Sequence, residues 1–412
     1  LVGSEMCIRD RTYMVWRKML QQESEHQWLA ITAFFVFVIL GAILIKGTSH
    51  LPGVDLIDNE LGNNHRIIES VYDENGDYLA LTYNNGDYKL LSVSDEGAND
   101  VTFTNPNYDV SGISDFALLD NNAVLIANGV DELMIYQDDN TAIFETNYSD
   151  EVFTVSSIEQ SSNEAQNLLM ITKETNTQQS IRGLNTSGIT SASMPNNENV
   201  DWEGIQHISA DLWLLTGNYR QPATSGEESP AAPNLLPVWS TVLWNGGIIA
   251  PMIENLQIGN YGEYHSVIKL NHEKIIIAGT HETIIFDHTN NDISTIDYSS
   301  VAGVSDECNR AWLFNGKDSK SVMRFDGDSW SIESLPHQLP LDVETYGFDG
   351  ISIYLHGVDD NGMPRVMTFD TSAVGSIESG SGFINLSFII LSLVMFALMA
   401  VNVIDKFKNQ TA

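Results

Sequence analysis

A pattern of three short apolar strands separated by polar turns recurs along the middle of this 412-residue chain. Two copies, which begin at Phe116 and Val267, match apolar position for apolar position with almost no gap. One small twisted sheet cannot bury both of its faces, whereas sheets stacked around an axis cover each other's faces and edges. Seven copies of about 40–45 residues therefore predict an all-β fold, a seven-bladed β-propeller. The second strands of these copies are centred on Ala80, Ile126, Met170, Leu214, Ile277, Leu313 and Tyr354.

One interval between copies is longer than the others because it contains an insert. The segment Tyr219–Pro237 lies between Leu214 and Ile277 and is rich in Pro, Ser and Gly. Removing it restores a spacing of about 44 residues. We therefore predict a loop in the fourth copy, whose deletion leaves the fold intact because the cost of closing a loop depends weakly on its length.

The third strand of several copies ends in an aromatic residue followed by a polar one. This ending resembles the aromatic-Asp ending of the third strand in WD-repeat propellers, and the resemblance covers the whole middle region as architecture. The Gly-His signature and the blade-end Trp-Asp pair of that family are missing, so no subfamily is implied. A large β-sandwich or two smaller β-domains is the alternative. The endings are Tyr136-Gln137, Trp244-Asn245, Phe286-Asp287, Phe325-Asp326 and Phe369-Asp370.

Two long apolar segments without Asp, Glu, Lys or Arg flank the repeats. They are Trp28–Ile45 and Phe383–Ile404. About 20 such residues in a helix cross the hydrocarbon core of a bilayer, so each segment predicts a transmembrane helix. A cleaved signal peptide is the alternative for the first segment, although its apolar run is long for one. Leu1–Arg11 resembles a translated sequencing adapter, so we expect no functional residue in this segment.

Basic residues beside the two apolar segments predict the orientation. Arg17 and Lys18 precede the first segment, and Lys406 and Lys408 follow the second. Such residues stay in the cytoplasm, so both termini are expected inside and the repeats outside, at the cell membrane. The expected domains are a cytoplasmic N-terminal segment 1–27, a transmembrane helix 28–46, an extracellular propeller 47–382, a second transmembrane helix 383–404 and a cytoplasmic tail 405–412.

The composition is strongly acidic, with 19 Lys and Arg against 55 Asp and Glu and a net charge of −36. Such a surface repels nucleic acid and anionic lipid, and it suits a saline exterior where charges are screened. Only Cys7 and Cys308 are present, so no disulfide framework holds the propeller together. An extracellular domain without disulfides is typical of a prokaryotic cell surface. We interpret Cys308 as a small buried apolar residue.

No sequence motif for catalysis or for a cofactor is found. The segment Asp73–Asp77 resembles the start of a calcium loop, but it lacks the final Glu and lies between two strands, which favours a hairpin turn. Calcium is compatible with the acidic surface, without a specific site. Four histidines, His265, His272, His281 and His288, are predicted to divide between two faces of the disc, which argues against a zinc site.

Several aromatic residues are predicted to lie on one face of the disc. In a propeller, the connections between blades and the second turn of each blade share a face. Exposed aromatics among acidic loops there indicate a recognition surface, although packing against the top of the core is the alternative. The candidate binding residues are Tyr108, Tyr148, Trp202, Tyr219, Arg220, Tyr261, Tyr264 and His265.

These features favour a membrane-anchored cell-surface propeller that binds or scaffolds an extracellular protein or glycan. A propeller hydrolase or lyase, acting on a glycan or ester at the central channel, is the alternative, and it requires carboxylates or histidines facing inward from the first strands. A structural envelope subunit assembled through the two helices is a third hypothesis. For ring closure, we expect Val54–Asp58 to pair beside Arg365–Asp370, with Thr371–Gly382 as a linker.

Overall fold

The structure is a computed structural model. It describes residues 25–47, 50–373 and 381–410, apart from gaps at 60, 62–64, 74, 95, 120–121, 129–132, 138, 144–152, 162–166, 175–178, 186–187, 195–198, 222–234, 252–255, 271–272 and 328. The chain divides into two compact units. One comprises Gly53–Ala373, and the other comprises Leu1–Pro52 with Val374–Ala412.

Gly53–Ala373 forms a seven-bladed β-propeller, as the repeats predict. Each blade is an antiparallel sheet, and in blades 1 to 6 the strands follow one another in chain order from the inside outward. All seven predicted centres lie in the second strand of their blades. After β1 (Val54–Asp58), blade 1 consists of β2 (Arg66–Tyr72), β3 (Tyr78–Asn84), β4 (Asp87–Ser94) and β5 (Gly97–Asp100). Blade 2 consists of β6 (Ile113–Leu118), β7 (Val124–Asn128), β8 (Met134–Gln137) and β9 (Asn140–Ile143), and a 3-10 turn (Val110–Gly112) precedes it.

The remaining five blades repeat this order. Blade 3 consists of β10 (Phe153–Gln160), β11 (Leu168–Glu174), β12 (Gln179–Asn185) and β13 (Gly188–Ser193). Blade 4 has β14 (Val200–Ser209), β15 (Leu212–Arg220), β16 (Leu235–Leu243), β17 (Ala250–Pro251) and β18 (Gln257–Ile258). Blade 5 consists of β19 (Tyr264–Leu270), β20 (Lys274–Gly279), β21 (Thr283–Asp287) and β22 (Asp292–Ile296). Blade 6 consists of β23 (Ser300–Ser305), β24 (Ala311–Asn315), β25 (Ser321–Phe325) and β26 (Trp330–Ser334), and blade 7 contains β27 (Asp342–Phe348), β28 (Ser352–Val358) and β29 (Pro364–Asp370).

The ring closes as predicted, because β1 supplies the outer strand of blade 7. It pairs antiparallel with β29, from Val54 opposite Phe369 to Asp58 opposite Arg365. Asp58 and Arg365 also form an ion pair. Closure of this kind leaves blade 7 without an unpaired outer edge on β29.

Apolar side chains fill the spaces between neighbouring blades. Trp239 of blade 4, for example, is fully buried and lies with its ring centre 5.1 Å from that of Phe286 of blade 5. Both belong to a cluster of residues from these two blades. The alternation of strand side chains explains this arrangement, since successive residues face opposite neighbouring blades.

The predicted insert is shorter than Tyr219–Pro237. Strand β15 continues to Arg220, and β16 begins at Leu235 directly opposite it. The two strands thus form a long ladder that takes up both ends of the expected loop. Residues 222–234 lie outside the described residues.

Every inner strand contains a β-bulge at a corresponding place near its start. Its register with the second strand skips one residue there. A bulged residue is released from the ladder and its side chain is turned out of the regular alternation. None of the seven skipped residues is buried. They are Ile68, Ser114, Ser156, Glu203, His265, Val301 and Glu344.

The second unit contains helices α1 (Glu25–Gly47) and α2 (Ser381–Gln410). The rings of Phe37 and Phe388 stack with their centres 5.0 Å apart. Among the residues that the structure describes, neither helix has the length and apolarity that crossing a membrane requires. The expected transmembrane helices are therefore not supported. Helix α2 already begins inside the expected linker.

Candidate functional site

Three predicted surface residues lie together on blade 5. Tyr261 is 69% exposed in the loop between β18 and β19, and Tyr264 and His265 begin β19. Because this loop connects two blades, it lies on the face that the connections between blades share. His265 lines both of the cavities described below, and Tyr264 lines the smaller one.

Other predicted surface residues have different places. Trp202 is only 1% exposed and packs in a core cluster, because β14 has already begun at Val200 and turns its side chain between two sheets. Tyr108 stacks on Phe103, with ring centres 4.4 Å apart, and packs against the core of blades 1 and 2. The exposed positions expected for these two residues are therefore wrong.

The insert contributes less to the surface than its sequence indicates. Tyr219 is half-buried in β15 and packs against the same cluster as Trp202, whereas Arg220 is exposed at the end of that strand. The prediction for Tyr148 falls outside the described residues.

A cavity of about 570 Å³ opens at the channel mouth. Its lining residues come from blades 1, 5, 6 and 7, and they include Glu69, Glu263, Val301 and Glu344. A second cavity of about 360 Å³ lies beside the inner strands of blades 4 and 5. His265 and Tyr346 line both cavities, so these two side chains form a shared wall.

The loop at the rim of the larger cavity is held by one carboxylate. Glu282, in the second turn of blade 5, accepts hydrogen bonds from the Asn260 amide N (3.1 Å), from Asn260 Nδ2 (3.0 Å) and from the Tyr264 hydroxyl (3.0 Å). Glu263 N donates to Thr280 Oγ1 at 3.1 Å. Gly262, between these anchors, has a φ of +80°, which glycine adopts without strain. The loop that presents Tyr261 and Glu263 is thus fixed at four points.

His265 is a neutral imidazole with a defined tautomer. Burial lowers the pKa of His265 to about 4. Its Nε2 lies 3.0 Å from the carbonyl oxygen of Ser300, which can only accept, so Nε2 carries the proton. Nδ1 then accepts from Ser266 Oγ at 2.6 Å. With both nitrogens engaged by protein groups, His265 acts as part of the wall.

Carboxylates of three neighbouring inner strands meet in the channel. Burial, and then the nearby charge of Asp115, raise the pKa of Glu69 to about 7. Burial raises the pKa of Asp115 to about 6, and that of Glu159 to about 7. Lys269, which attracts Glu159, has its pKa lowered by burial. Raised carboxyl pKa values of this kind are a property of many functional sites.

Asp115 is engaged by the protein itself. Its Oδ2 accepts from Ser157 Oγ (2.8 Å) and Ile158 N (2.9 Å) of the next blade, and its Oδ1 accepts from Phe116 N (2.8 Å). The carboxylate therefore joins blades 2 and 3. Because the Asp115 carboxylate already accepts these three hydrogen bonds, it has little capacity left to bind a ligand.

Glu344 lines the larger cavity and forms an ion pair across two blades. Its side chain is 11% exposed, and one oxygen pairs with Arg66 of blade 1. The other oxygen, Oε2, is enclosed and has no hydrogen-bond partner among the described residues. An enclosed carboxylate oxygen without a donor costs roughly 1–3 kcal/mol or more.

The turns that resemble calcium loops use their carboxylates internally. Asp73 Oδ1 accepts from the amides of Asn75 (2.8 Å) and Asp77 (3.0 Å), which is a hairpin turn as predicted. Within the part of the chain that the structure describes, no group of three or more His, Cys, Asp or Glu residues is arranged to hold a metal ion. Cys308 is exposed in the first turn of blade 6, so its predicted burial is wrong.

The sequence did not single out Glu69, Asp115 and Glu159. Each lies in the first strand of its copy, as an inward-facing carboxylate should, but similar carboxylates occur in most turns of this acidic chain. Their convergence follows from the stacking of blades 1, 2 and 3. The bulge that precedes Glu69 and Asp115 has no sequence signature.

Comparison with known proteins shows the fold and not the family. No protein-family model matches the chain, and no curated protein matches it significantly. Among solved structures, the extracellular domain of a hybrid two-component system from B. thetaiotaomicron is similar with a TM-score of 0.51 and 10% identity, over 78% of this chain and 40% of that one. Virginiamycin B lyase from Staphylococcus aureus has a TM-score of 0.49 and 9% identity, over 77% of this chain and 99% of that one.

Proposed function

We propose that this propeller is an extracellular recognition module that binds its ligand in the cavity at the channel mouth. The observation that carries the proposal is the cavity of about 570 Å³, whose size is within the range of ligand sites. Side chains with carboxylate and hydroxyl groups line it. Since the rim loop is already fixed by Glu282, binding does not have to order it.

An extracellular protein or glycan is the ligand class that fits the acidic composition. The similar domain from B. thetaiotaomicron is extracellular, which accords with that location. Attachment to the cell membrane through the two apolar segments remains a prediction from the sequence. The likeness to WD-repeat propellers also remains a prediction from the sequence. The binding proposal depends on neither.

A glycan array and a panel of secreted proteins test the proposal. The purified full chain is compared with Val301→Trp, which fills the cavity, and with Ile332→Trp on the outer strand β26, where Ile332 is already 67% exposed. We expect the full chain to bind at least one ligand, which Val301→Trp loses and Ile332→Trp keeps. Ligands that bind Val301→Trp equally well would place recognition elsewhere.

A hydrolase or lyase activity at the channel is a second candidate function, which the channel carboxylates favour. Glu69 and Asp115 have pKa values of about 7 and about 6, which suit an acid and a base at neutral pH. Binding is the stronger candidate because Asp115 is occupied in joining two blades. Turnover of a bound glycan or ester that Glu69→Gln abolishes would reverse this order.

A further inference from the structure

The chain enters and leaves the propeller at the same end of one strand pair. Strand β1 runs antiparallel to β29, and its first residue, Val54, lies opposite Phe369 near the end of β29. The Gly53 carbonyl accepts a hydrogen bond from the Asp370 amide at 3.0 Å, which continues this ladder to both chain ends. Because ladder hydrogen bonds run across the strands, a force that separates the two ends breaks them a few at a time. The pair is thus arranged to unzip.

Strand β1 has few contacts that resist such a force. Val54 is its only buried side chain, at 5% exposure, and the other four residues are exposed or partly buried. The ion pair of Asp58 with Arg365 lies at the surface, with the Asp58 side chain 70% exposed, so it contributes little. Among the described strands, only β29 pairs with β1. One ladder and one buried side chain therefore hold this strand in place.

The opposite side of the ladder is held more firmly. Strand β29 has three buried side chains and also pairs with β28 over seven residues. Beyond its end, the amide and the hydroxyl of Thr371 donate to the Ile351 carbonyl at 3.2 and 3.0 Å. Arg310 of blade 6 donates to the Thr371 carbonyl at 3.2 Å. A force on this chain end is therefore transmitted to blades 6 and 7 and does not act on β29 alone.

Peeling of β1 has a defined end point at Asn59. This residue is 6% exposed, and its Nδ2 donates to the His65 carbonyl at 2.5 Å. Its Oδ1 accepts from the Leu61 amide at 3.1 Å. These bonds fix the start of the connection that leads into blade 1. Residues 53–58 can therefore be released while blade 1 stays paired.

We infer that a force separating the two chain ends opens the propeller at one place, where residues 53–58 peel from β29 and every other strand stays paired. Blade 7 then loses its outer strand and keeps β27, β28 and β29. The released segment turns back on itself, so the ends move apart by roughly 40 Å, twice the length of six extended residues. This property of the ring is independent of the proposed ligand site.

Optical tweezers on the full chain test the inference with two pulling geometries. Cys7→Ser and Cys308→Ser remove the native thiols, and Ser372→Cys at an exposed position supplies one attachment point. Pro52→Cys as the second point pulls β1 from its first end and unzips the ladder, whereas Asp58→Cys pulls it from its last end and loads all pairs together. We expect a reversible step of roughly 40 Å in the first geometry, at less than half the force of the first event in the second. Equal forces, or unfolding of the whole propeller without this step, overturn the inference.

Two substitutions in β1 tie the step to this strand. Val54→Ala removes its one buried side chain, and we expect the opening rate at a fixed force to rise at least about fivefold. Leu56→Ala is the matched control, because Leu56 is already 38% exposed, and it should change the rate less than about twofold. Loss of the step in Val54→Ala, with β1 already unpaired before any force is applied, would support the inference as well. An unchanged opening rate in Val54→Ala would show that the step arises elsewhere.

Discussion

The hydroxyl of Tyr346 donates a hydrogen bond to the backbone carbonyl of His265. Tyr346 belongs to blade 7 and His265 to blade 5, so the bond joins two blades that are not neighbours. Blade 6 lies between them, and its inner strand carries the small residues Ala302 and Gly303. Burial raises the pKa of Tyr346 to about 12, which keeps the hydroxyl protonated as the donor. The wall between the two cavities is thus a direct contact across the channel.

Tyr346→Phe should remove this hydrogen bond and keep the aromatic ring between the two cavities. Loss of the hydroxyl leaves the His265 carbonyl without this donor, and we expect the free energy of unfolding in urea to fall by about 0.5–1.5 kcal/mol. Tyr136→Phe is the control, because Tyr136 donates to Asp139 at an exposed turn, where water replaces the partner. An equal effect of the two substitutions would show that the contact across the channel contributes nothing beyond an ordinary surface bond.

Glu69→Gln should stabilise the propeller at neutral and alkaline pH but not at pH 4.5. The pKa of Glu69 rises from 4.5 in the unfolded chain to about 7 in the fold, so its contribution to stability is fully present below pH 4.5 and is lost as the pH rises through 7. Glutamine resembles the protonated form. Urea unfolding should therefore show a gain of roughly 1–3 kcal/mol at pH 8 and almost none at pH 4.5. A gain that is the same at both pH values would contradict the raised pKa.

Glu282→Ala should release the rim loop. The substitution removes the acceptor of Asn260 N, Asn260 Nδ2 and the Tyr264 hydroxyl. We expect about 1–3 kcal/mol of destabilisation and at least tenfold faster hydrogen exchange at the Asn260 amide. Glu333→Ala on β26 removes a half-buried carboxylate far from the loop and is the matched control. Unchanged exchange at Asn260 would mean that other contacts hold the loop.

Deletion of Gln221–Asn234, with an Asn-Gly turn in its place, should leave the propeller folded. Arg220 and Leu235 are already directly opposite each other, so a two-residue turn closes the hairpin. We expect a thermal midpoint within about 4 °C of that of the full chain. A larger decrease would show that residues 221–234 contribute to the folded state.

Removal of β1 should open the ring. A chain that starts at Asn59 lacks the strand that pairs with β29 and also lacks buried Val54, whereas a chain that starts at Gly53 keeps both. The shorter chain should lose roughly 3 kcal/mol or more of unfolding free energy relative to the longer one. Similar denaturation curves for the two chains would refute closure by this strand.

The repeat was readable from the sequence because its second strands have apolar centres that recur at similar intervals, apart from the insert. Ala80 to Tyr354 all lie where the spacing predicts them, and Val54–Asp58 closes the ring. Exposure of single aromatics was not readable. In the sequence, Trp202 and Tyr261 both belong to segments that look like connections between blades. Trp202 is buried because strand β14 begins at Val200, two residues before it, whereas Tyr261 lies in a loop and is exposed.

The channel chemistry was hidden for a topological reason. Glu69, Asp115 and Glu159 are separated by more than forty residues each along the chain, and only the stacking of blades 1, 2 and 3 brings them together. Their raised pKa values come from burial by neighbouring blades, which no local pattern records. The enclosed oxygen of Glu344 depends on the bulge in β27, which the sequence also does not show.

The bulge shared by all inner strands separates the stability of the propeller from its specificity. Since the skipped residue is outside the ladder and is exposed or only partly buried, strand pairing and core packing constrain its side chain less than those of its neighbours. Glu203, His265, Val301 and Glu344 occupy four such places, and each lines a cavity. Substitutions at these positions could therefore give the same scaffold a different selectivity, one blade at a time.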